Sequence, residues 1–224
     1  MFVDRSDAGQ KLAAKLTGYR DVRPVVLALP RGGVPVAYEI ATALQAPLDL
    51  LFVRKIGVPW QPELAAAAVA DVGGREIVRN ERVISLTDLS DDYIEEQARL
   101  ELKEIARRRD VYCEGRPMMN LAGRTVIVVD DGIATGSTVR AALRAVRRAV
   151  PAKIVLAVPV APSETLADLE KEADAICCLE SSDDFGAISQ FYLSFRQLDD
   201  EEIVDLIGRA RSQESVGAPK SERK

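Results

Sequence analysis

Two neighbouring carboxylates are the residues of this sequence best suited to chemistry. Asp130 and Asp131 directly follow the apolar run VIVV in the stretch VIVVDDGIATGSTV. Two ionised carboxylates this close repel each other, so they are most stable where hydroxyl donors or a divalent cation occupy them. The vicinal hydroxyls of a sugar are donors of this kind. The pair is therefore a candidate site for a diol or a hard cation.

A loop rich in small and hydroxyl-bearing residues follows the carboxylates. Residues 132–138 open onto a predicted helix, whose N-terminal amides form a natural anion site. The loop has neither the lysine nor the glycine order of a nucleotide P-loop, which disfavours that motif. Taken alone, the acidic pair also fits a capped turn, or the acidic metal pocket of a phosphate-receiving signalling domain. Pair and loop together predict a site for a phosphorylated sugar such as ribose 5-phosphate.

The composition excludes several classes of site and partner. The 224 residues include no histidine, which excludes Ser-His-Asp and Cys-His catalysis and histidine metal sites. The three cysteines show no CxxC spacing and are predicted to be reduced and partly buried. A net charge of -5 gives no electrostatic reason to expect a nucleic acid or a membrane as partner. The sequence has no apolar run of the length that a signal peptide or membrane span needs, which predicts a cytoplasmic protein with a small-molecule partner.

Alternating strands and helices predict an α/β fold with a mainly parallel, twisted sheet flanked by helices. Continuous apolar runs indicate strands buried on both faces at 25–29, 48–53, 126–129, 154–158 and 175–179. Apolar spacings of three and four predict helices at 34–45, 91–109, 137–149 and 163–173, and a capping box of Asp199 and Glu202 predicts a last helix at 200–208. Ligands of such sheets bind beyond the carboxyl ends of the strands, where Asp130 and Asp131 stand.

Three segments need separate interpretations. Residues 54–80 are predicted to be a mobile insertion, with two short strands around Gly73-Gly74 and no regular structure in GVPWQPE. The run Arg107, Arg108 and Arg109 is predicted to close the helix at 91–109, where cations complement the helix dipole. Residues 209–224 are polar without periodicity, which predicts a disordered tail or a crystal-ordered extension.

The stretch VIVVDDGIATGST resembles the phosphoribosyl diphosphate signature of the type I phosphoribosyltransferases. The resemblance implies that Asp130 and Asp131 hold the ribose 2- and 3-hydroxyls and contact Mg²⁺ indirectly, through water or those hydroxyls. It implies that the 5-phosphate is bound by Ala134, Thr135, Gly136, Ser137 and Thr138. It extends to about Ile207, and so implies one phosphoribosyltransferase domain over residues 1–208 with a small hood at about 180–200.

Two further motifs resemble parts of the same family. Pro30, Arg31, Gly32 and Gly33 resemble its diphosphate-binding loop, in which glycines let backbone amides approach an anion and arginine adds charge. The stretch LFVRKIG ends a strand with Arg54 and Lys55, as in adenine enzymes with their R-K-x-G run, and both cations are expected to face the diphosphate. The candidate catalytic residues are Arg31, Lys55, Asp130 and Asp131.

The resemblance constrains the substrate only partly. The stretch RKIGVPWQPELA is similar to a bacterial group of phosphoribosyltransferases with unsettled substrates, although Trp60 replaces a small residue there. Enzymes for 6-oxopurines typically carry an aspartate where this chain has Ala134, which weakens that assignment. Phe185 is a candidate to stack on a base, with packing as the alternative.

The function that these motifs imply is transfer of phosphoribose from phosphoribosyl diphosphate, with Mg²⁺, to a base or an amine. The alternative is a catalytically weak regulator or sensor that binds phosphoribosyl diphosphate. A homodimer is one expected assembly.

Overall fold

The computed structural model describes residues 1–72 and 74–217. The helices are α1 (Arg5–Leu16), α2 (Gly33–Leu44), α3 (Glu81–Thr87), α4 (Asp91–Cys113), α5 (Ser137–Arg148), α6 (Ser163–Leu169) and α7 (Asp200–Gly217). The strands are β1 (Val25–Ala28), β2 (Leu48–Leu50), β3 (Val53–Val58), β4 (Gln61–Asp71), β5 (Arg75–Arg79), β6 (Thr125–Val129), β7 (Lys153–Pro162) and β8 (Ala175–Ser182). Short 3-10 helices cover Thr17–Val22 and Ile188–Phe191.

The main sheet is parallel, with the strand order β2-β1-β6-β7-β8, which confirms the predicted fold class. Side chains of β1 alternate between two hydrophobic clusters: Val26 and Ala28 pack in the cluster that contains residues of α1 and α2, whereas Val25 and Leu27 pack in the cluster of α5. Because both faces are covered, β1 is apolar at every position, and β6 and β7 are apolar beyond their first residues, Thr125 and Lys153.

Residues 54–80 belong to a second, antiparallel sheet with the order β3-β4-β5. The two strands predicted around the double glycine correspond to β4 and β5, while Gly73 itself lies outside the described residues. The prediction for GVPWQPE is wrong, because this stretch supplies the end of β3 and the start of β4. The strands pair irregularly there, and a Cβ on Gly57 would lie 2.3 Å from the carbonyl oxygen of Pro62, so only glycine allows the close approach. The mobility of the segment stays a prediction.

A buried arginine joins the two sheets. Helix α4 continues to Cys113, so the run from Arg107 to Arg109 lies inside the helix and the prediction that it closes the helix is wrong. Arg109 is 5% exposed; its Nη2 donates to the carbonyl oxygen of Leu50 on β2 (2.9 Å), and its Nε lies 2.9 Å from Asp71 Oδ2 on β4, without the alignment of a hydrogen bond. Its distance in sequence from these partners explains why the helix pattern alone did not reveal this role.

The two ends of the chain differ from the prediction. Helix α1 was not predicted, and α7 extends to Gly217, so residues 209–217 of the predicted tail are helical. Residues 218–224 of that predicted tail lie outside the described residues. The predicted capping box is confirmed, since Asp199 Oδ1 accepts from the Glu202 amide (2.8 Å) and Glu202 Oε2 accepts from the Asp199 amide (3.2 Å).

The segment between β8 and α7, residues 183–199, packs with the N-terminus and is called the hood below, after the small hood predicted at about 180–200. Phe2 forms an isolated parallel bridge with Tyr192, and its amide donates to the Phe191 carbonyl (2.7 Å). Four of the five phenylalanines gather in this cluster with Tyr192: Phe2, Phe185, Phe191 and Phe195.

Two smaller predictions are also covered by the structure. Cys113 is buried, Cys177 and Cys178 are half-buried, and all three thiols are free, as predicted. Within residues 1–72 and 74–217, none of the helices combines the length and apolar character needed to cross a bilayer.

Candidate active site

The acidic pair lies at the carboxyl edge of the main sheet. Strands β1 and β6 are paired in register, with Ala28 opposite Val129, so the loops that follow these strands emerge side by side. Asp130 is half-buried, and its Oδ1 accepts from the Asp131 amide (2.9 Å). Asp131 is 8% exposed. The strand end thus holds two carboxylates that are both largely withdrawn from solvent.

Burial makes the ionised form of this pair costly. The pKa of Asp130 is raised well above its ordinary value by burial and, secondly, by the charge of Asp131. Burial also raises the pKa of Asp131, and the nearby Arg5 guanidinium opposes that rise. Hydroxyl donors or a cation would stabilise the ionised carboxylates, so the site is prepared electrostatically for a ligand of that kind.

The predicted diphosphate loop is in contact with the acidic pair. A Cβ on Gly32 would lie 2.1 Å from Asp131 Oδ2, and a Cβ on Gly33 would lie 2.6 Å from the Val129 carbonyl oxygen and 2.9 Å from Asp130 Cα. Both glycines are therefore required by close approach, and not by an unusual φ. The Pro30-Arg31 peptide bond in this loop is cis.

The predicted phosphate loop leads into α5. Gly136 is the N-cap residue of α5 and has a φ of 71°, a left-handed conformation that glycine adopts without strain. Within the described part of the chain, no side chain caps this helix end. Thr135 Oγ1 and Ser137 Oγ lie 3.3 Å apart, and Thr165 Oγ1 donates to the Ala134 carbonyl (3.2 Å). Amides and hydroxyls are thus available here for an anion.

The predicted cations are arranged differently. Nη1 of Arg31 lies 3.4 Å from Asp200 Oδ1, so this side chain is engaged with the start of α7. Arg54 Nε donates to Glu101 Oε2 on α4 (2.7 Å), which means that Arg54 faces α4. Lys55 takes the next position of β3 and therefore the opposite face. Arg54 and Lys55 thus lie on opposite faces of β3, and their contact with a diphosphate stays a prediction.

Phe185 is engaged within the hood. Its ring stacks on Phe191 with the centroids 5.3 Å apart, which is the packing arrangement named as the alternative to base stacking.

Two side chains that the sequence did not single out contact Asp131. Arg5 Nε donates to Asp131 Oδ2 (2.7 Å), and the Tyr192 hydroxyl donates to the Asp131 carbonyl (2.6 Å). The hood also packs on the turn itself, since a Cβ on Gly132 would lie 2.6 Å from Ile188 Cγ2. No local pattern signals these contacts, because Arg5 and Tyr192 are 126 and 61 residues away from Asp131.

A cavity of about 510 Å³ lies beside Arg5, between α1, the hood and α7. Its lining is of mixed charge and includes Asp4, Arg196, Glu202, Asp205 and Arg209. Neither the acidic pair nor the phosphate loop borders it, so this cavity is separate from the candidate active site.

Comparisons with known proteins give the family. The chain matches the phosphoribosyl transferase domain over residues 4–196. A Mycobacterium tuberculosis (strain H37Rv) protein, provisionally named a phosphoribosyl transferase, is 45% identical over 210 residues, which cover 94% of this chain and 47% of that protein. Its counterpart in strain CDC 1551 gives the same values. The chain thus spans about half the length of the curated relatives it matches.

A solved structure agrees with this assignment. The crystal structure of TT1426 from Thermus thermophilus has a TM-score of 0.83 and 38% identity to the chain, and the match covers 92% of this chain and 97% of that one. The chain therefore belongs to the phosphoribosyl transferase domain family, and its fold is that of the type I phosphoribosyltransferases.

Proposed function

We propose that this chain binds 5-phosphoribosyl 1-diphosphate with Mg²⁺ and transfers the phosphoribosyl group to a nitrogen nucleophile, releasing diphosphate. The observation that carries the proposal is the continuity of two binding elements: the acidic pair ends β6, and the phosphate loop then opens α5. Acceptors for a vicinal diol and donors for a phosphate are thereby presented by a single turn of chain, as a ribose 5-phosphate requires.

Different residues of the site bind different parts of the substrate. The acidic pair accepts hydrogen bonds from the ribose hydroxyls, and the amides at the start of α5 donate to the 5-phosphate. The loop of Gly32 and Gly33, which contacts the acidic pair, brings backbone amides to the diphosphate. Lys55 stabilises the charge that develops on the departing diphosphate.

The acidic pair also suits Mg²⁺. Among the described residues, no group of three metal-ligating side chains could hold an ion alone, while the two carboxylates offer the hard oxygens that Mg²⁺ prefers. These residues fit an ion that binds mainly to substrate oxygens and that Asp130 and Asp131 contact through water or the ribose hydroxyls. When bound, Mg²⁺ would neutralise part of the diphosphate charge.

The acceptor is a base or an amine in this proposal. Ala134 stands where 6-oxopurine enzymes carry an aspartate, so we propose no 6-oxopurine and no general base. The cytoplasm as location and a homodimer as assembly remain proposals that rest on the sequence and the family.

The decisive experiment incubates the chain with phosphoribosyl diphosphate, Mg²⁺ and a panel of bases and amines, and follows diphosphate release and product mass. Release that depends on one acceptor, and that is lost in Asp130→Asn, supports the proposal. Asp92→Asn is the matched control, because it makes the same change at an exposed residue at the start of α4. Tight binding without turnover for any acceptor would refute the transferase and favour the sensor.

A further inference from the structure

We infer that Arg5 is a positioning residue of this site, which holds Asp131 against the Gly32 loop and leaves Asp130 as the acid that meets the ribose hydroxyls. The inference rests on the proposed function and goes beyond it, because it gives the two aspartates different roles and adds a residue from the N-terminal helix.

Arg5 is held on several sides. Its Nε donates to Asp131 Oδ2 (2.7 Å), its Nη1 donates to the Arg196 carbonyl (2.9 Å), and its guanidinium carbon lies 3.8 Å from the centre of the Phe195 ring. The side chains of Arg5 and Asp131 are each only 11% exposed. A guanidinium fixed by a carboxylate, a carbonyl and an aromatic face has little freedom, so it can fix the carboxylate in turn.

Asp131 has correspondingly little freedom to serve a ligand. Oδ2 already accepts from Arg5, and both carboxylate oxygens lie within 2.8 Å of the place that a Cβ on Gly32 would occupy. Its carbonyl oxygen accepts from Tyr192 (2.6 Å). The residue therefore joins four parts of the chain: β6, the Gly32 loop, α1 and the hood.

Asp130 is placed differently. Its Oδ1 accepts from the Asp131 amide (2.9 Å), whereas the bonds from the Arg5 guanidinium and the Tyr192 hydroxyl both go to Asp131. Asp130 is thus the member of the pair that Arg5 does not hold, which assigns it to the ribose, and the position of its carboxylate depends on the backbone of Asp131.

The opposite role for Arg5 would be that of a competitor, which occupies the diol site and must leave before the ligand binds. Its departure would break the bonds to Asp131 and Arg196 and the contact with Phe195 together. This simultaneous loss favours the positioning role.

The two roles predict opposite changes in affinity. Calorimetry with phosphoribosyl diphosphate and Mg²⁺ should show that Arg5→Gln binds about tenfold or more weakly, since a charge-assisted hydrogen bond is lost. Arg5→Lys should recover part of this loss, because lysine keeps the positive charge but lacks the planar guanidinium group with its several N–H donors. Lys15→Gln is the control: it removes an exposed cation in the last turn of the same helix and should bind normally. Tighter binding by Arg5→Gln would overturn the inference.

A double-mutant cycle tests whether Arg5 acts through Asp131. The double variant Arg5→Gln with Asp131→Asn should bind no more weakly than the weaker single variant, because both changes disrupt the same contact. Losses that add fully would show that Arg5 acts elsewhere and would refute the positioning role.

Thermal unfolding of the same variants separates this inference from the proposed function. The loss of melting temperature caused by Arg5→Gln should shrink when Asp131 is already Asn, whether or not a ligand binds. No such coupling would refute the positioning role even if the unaltered chain binds normally. If the melting temperatures are coupled but the unaltered chain does not bind phosphoribosyl diphosphate, the proposed function is refuted. The role of Arg5 toward a ligand is then refuted with it.

Discussion

Gly32 offers a direct test of how tightly the acidic pair is packed. Its backbone has φ -57° and ψ -41°, which alanine adopts freely, so Gly32→Ala isolates the steric effect. The new Cβ would lie 2.1 Å from Asp131 Oδ2 and 2.5 Å from its Cγ, far inside van der Waals contact. The carboxylate must move by more than about 1 Å, which breaks its 2.7 Å bond to Arg5.

The magnitude follows from the burial of that ion pair. Breaking a buried pair costs about 3–5 kcal/mol, and the lower end applies because both side chains keep some exposure. In a chain of this size, a loss of about 3 kcal/mol lowers the melting temperature by about 6–12 °C. We therefore expect Gly32→Ala to melt about 6–12 °C lower and to bind phosphoribosyl diphosphate more weakly.

Gly208 provides the matched control. It lies inside α7, is exposed, and a Cβ there would meet no atom within 4 Å. Gly208→Ala should raise the free energy of unfolding by about 0.5–1 kcal/mol through helix propensity. Calorimetric melting of both variants, with titration of the ligand, is the assay. If Gly32→Ala is as stable as the unaltered chain, the Asp131 carboxylate does not pack against Gly32 as closely as described.

Three further predictions concern the site. Asp130→Asn should weaken binding of phosphoribosyl diphosphate by about 1.5–3 kcal/mol in calorimetry, yet raise the melting temperature at neutral pH. The sign follows from the raised pKa of Asp130, because the unfolded chain loses the Asp130 proton at a lower pH than the folded chain does. The free energy of unfolding therefore falls as pH rises from the ordinary aspartate pKa through the pKa of the folded state. Melting curves of Asp130→Asn across pH should lack that decline. Gly136→Val should abolish binding of ribose 5-phosphate, because β-branched residues avoid a φ of 71° and a Cβ there would lie 2.6 Å from Thr165 Cγ2; normal binding would mean that the phosphate site lies elsewhere. Lys55→Ala should lower turnover more than equilibrium binding, because its charge matters most as diphosphate departs, and equal losses in the two assays would contradict that role.

Most of the main sheet could be predicted because its strands are buried on both faces. One error shows the limit of that signal: residues 48–53 were predicted as one strand, whereas β2 ends at Leu50 and β3 begins at Val53 in the other sheet. Leu51 and Phe52 are buried while the chain crosses between the sheets, so the apolar run continues where the strand does not. A run of apolar residues therefore predicts that the residues are buried, but it does not predict which sheet they join.

The site was predictable where it is local in sequence. The acidic pair, the phosphate loop and the glycines are adjacent in the chain to the strands and helices that place them, and the loops lie where the register of β1 and β6 requires. Helix α1 could have been found from Asp4 as N-cap and the spacing of Ala8, Leu12 and Leu16. The contact of Arg5 with Asp131 could not, because only the folded chain brings them together.

The anchoring of the antiparallel sheet determines what its single tryptophan can report. Arg109 and Arg148 hold its base through Asp71 and Glu76, and the Tyr93 hydroxyl donates to the Gly57 carbonyl (3.0 Å). Beyond these attachments projects the connection between β3 and β4, where Trp60 is 68% exposed and is the only tryptophan of the chain. The intrinsic tryptophan fluorescence of this protein therefore comes from one known point at the tip of the sheet. A change in the fluorescence of Trp60 on addition of a ligand would therefore show that the exposure of this tip to water has changed.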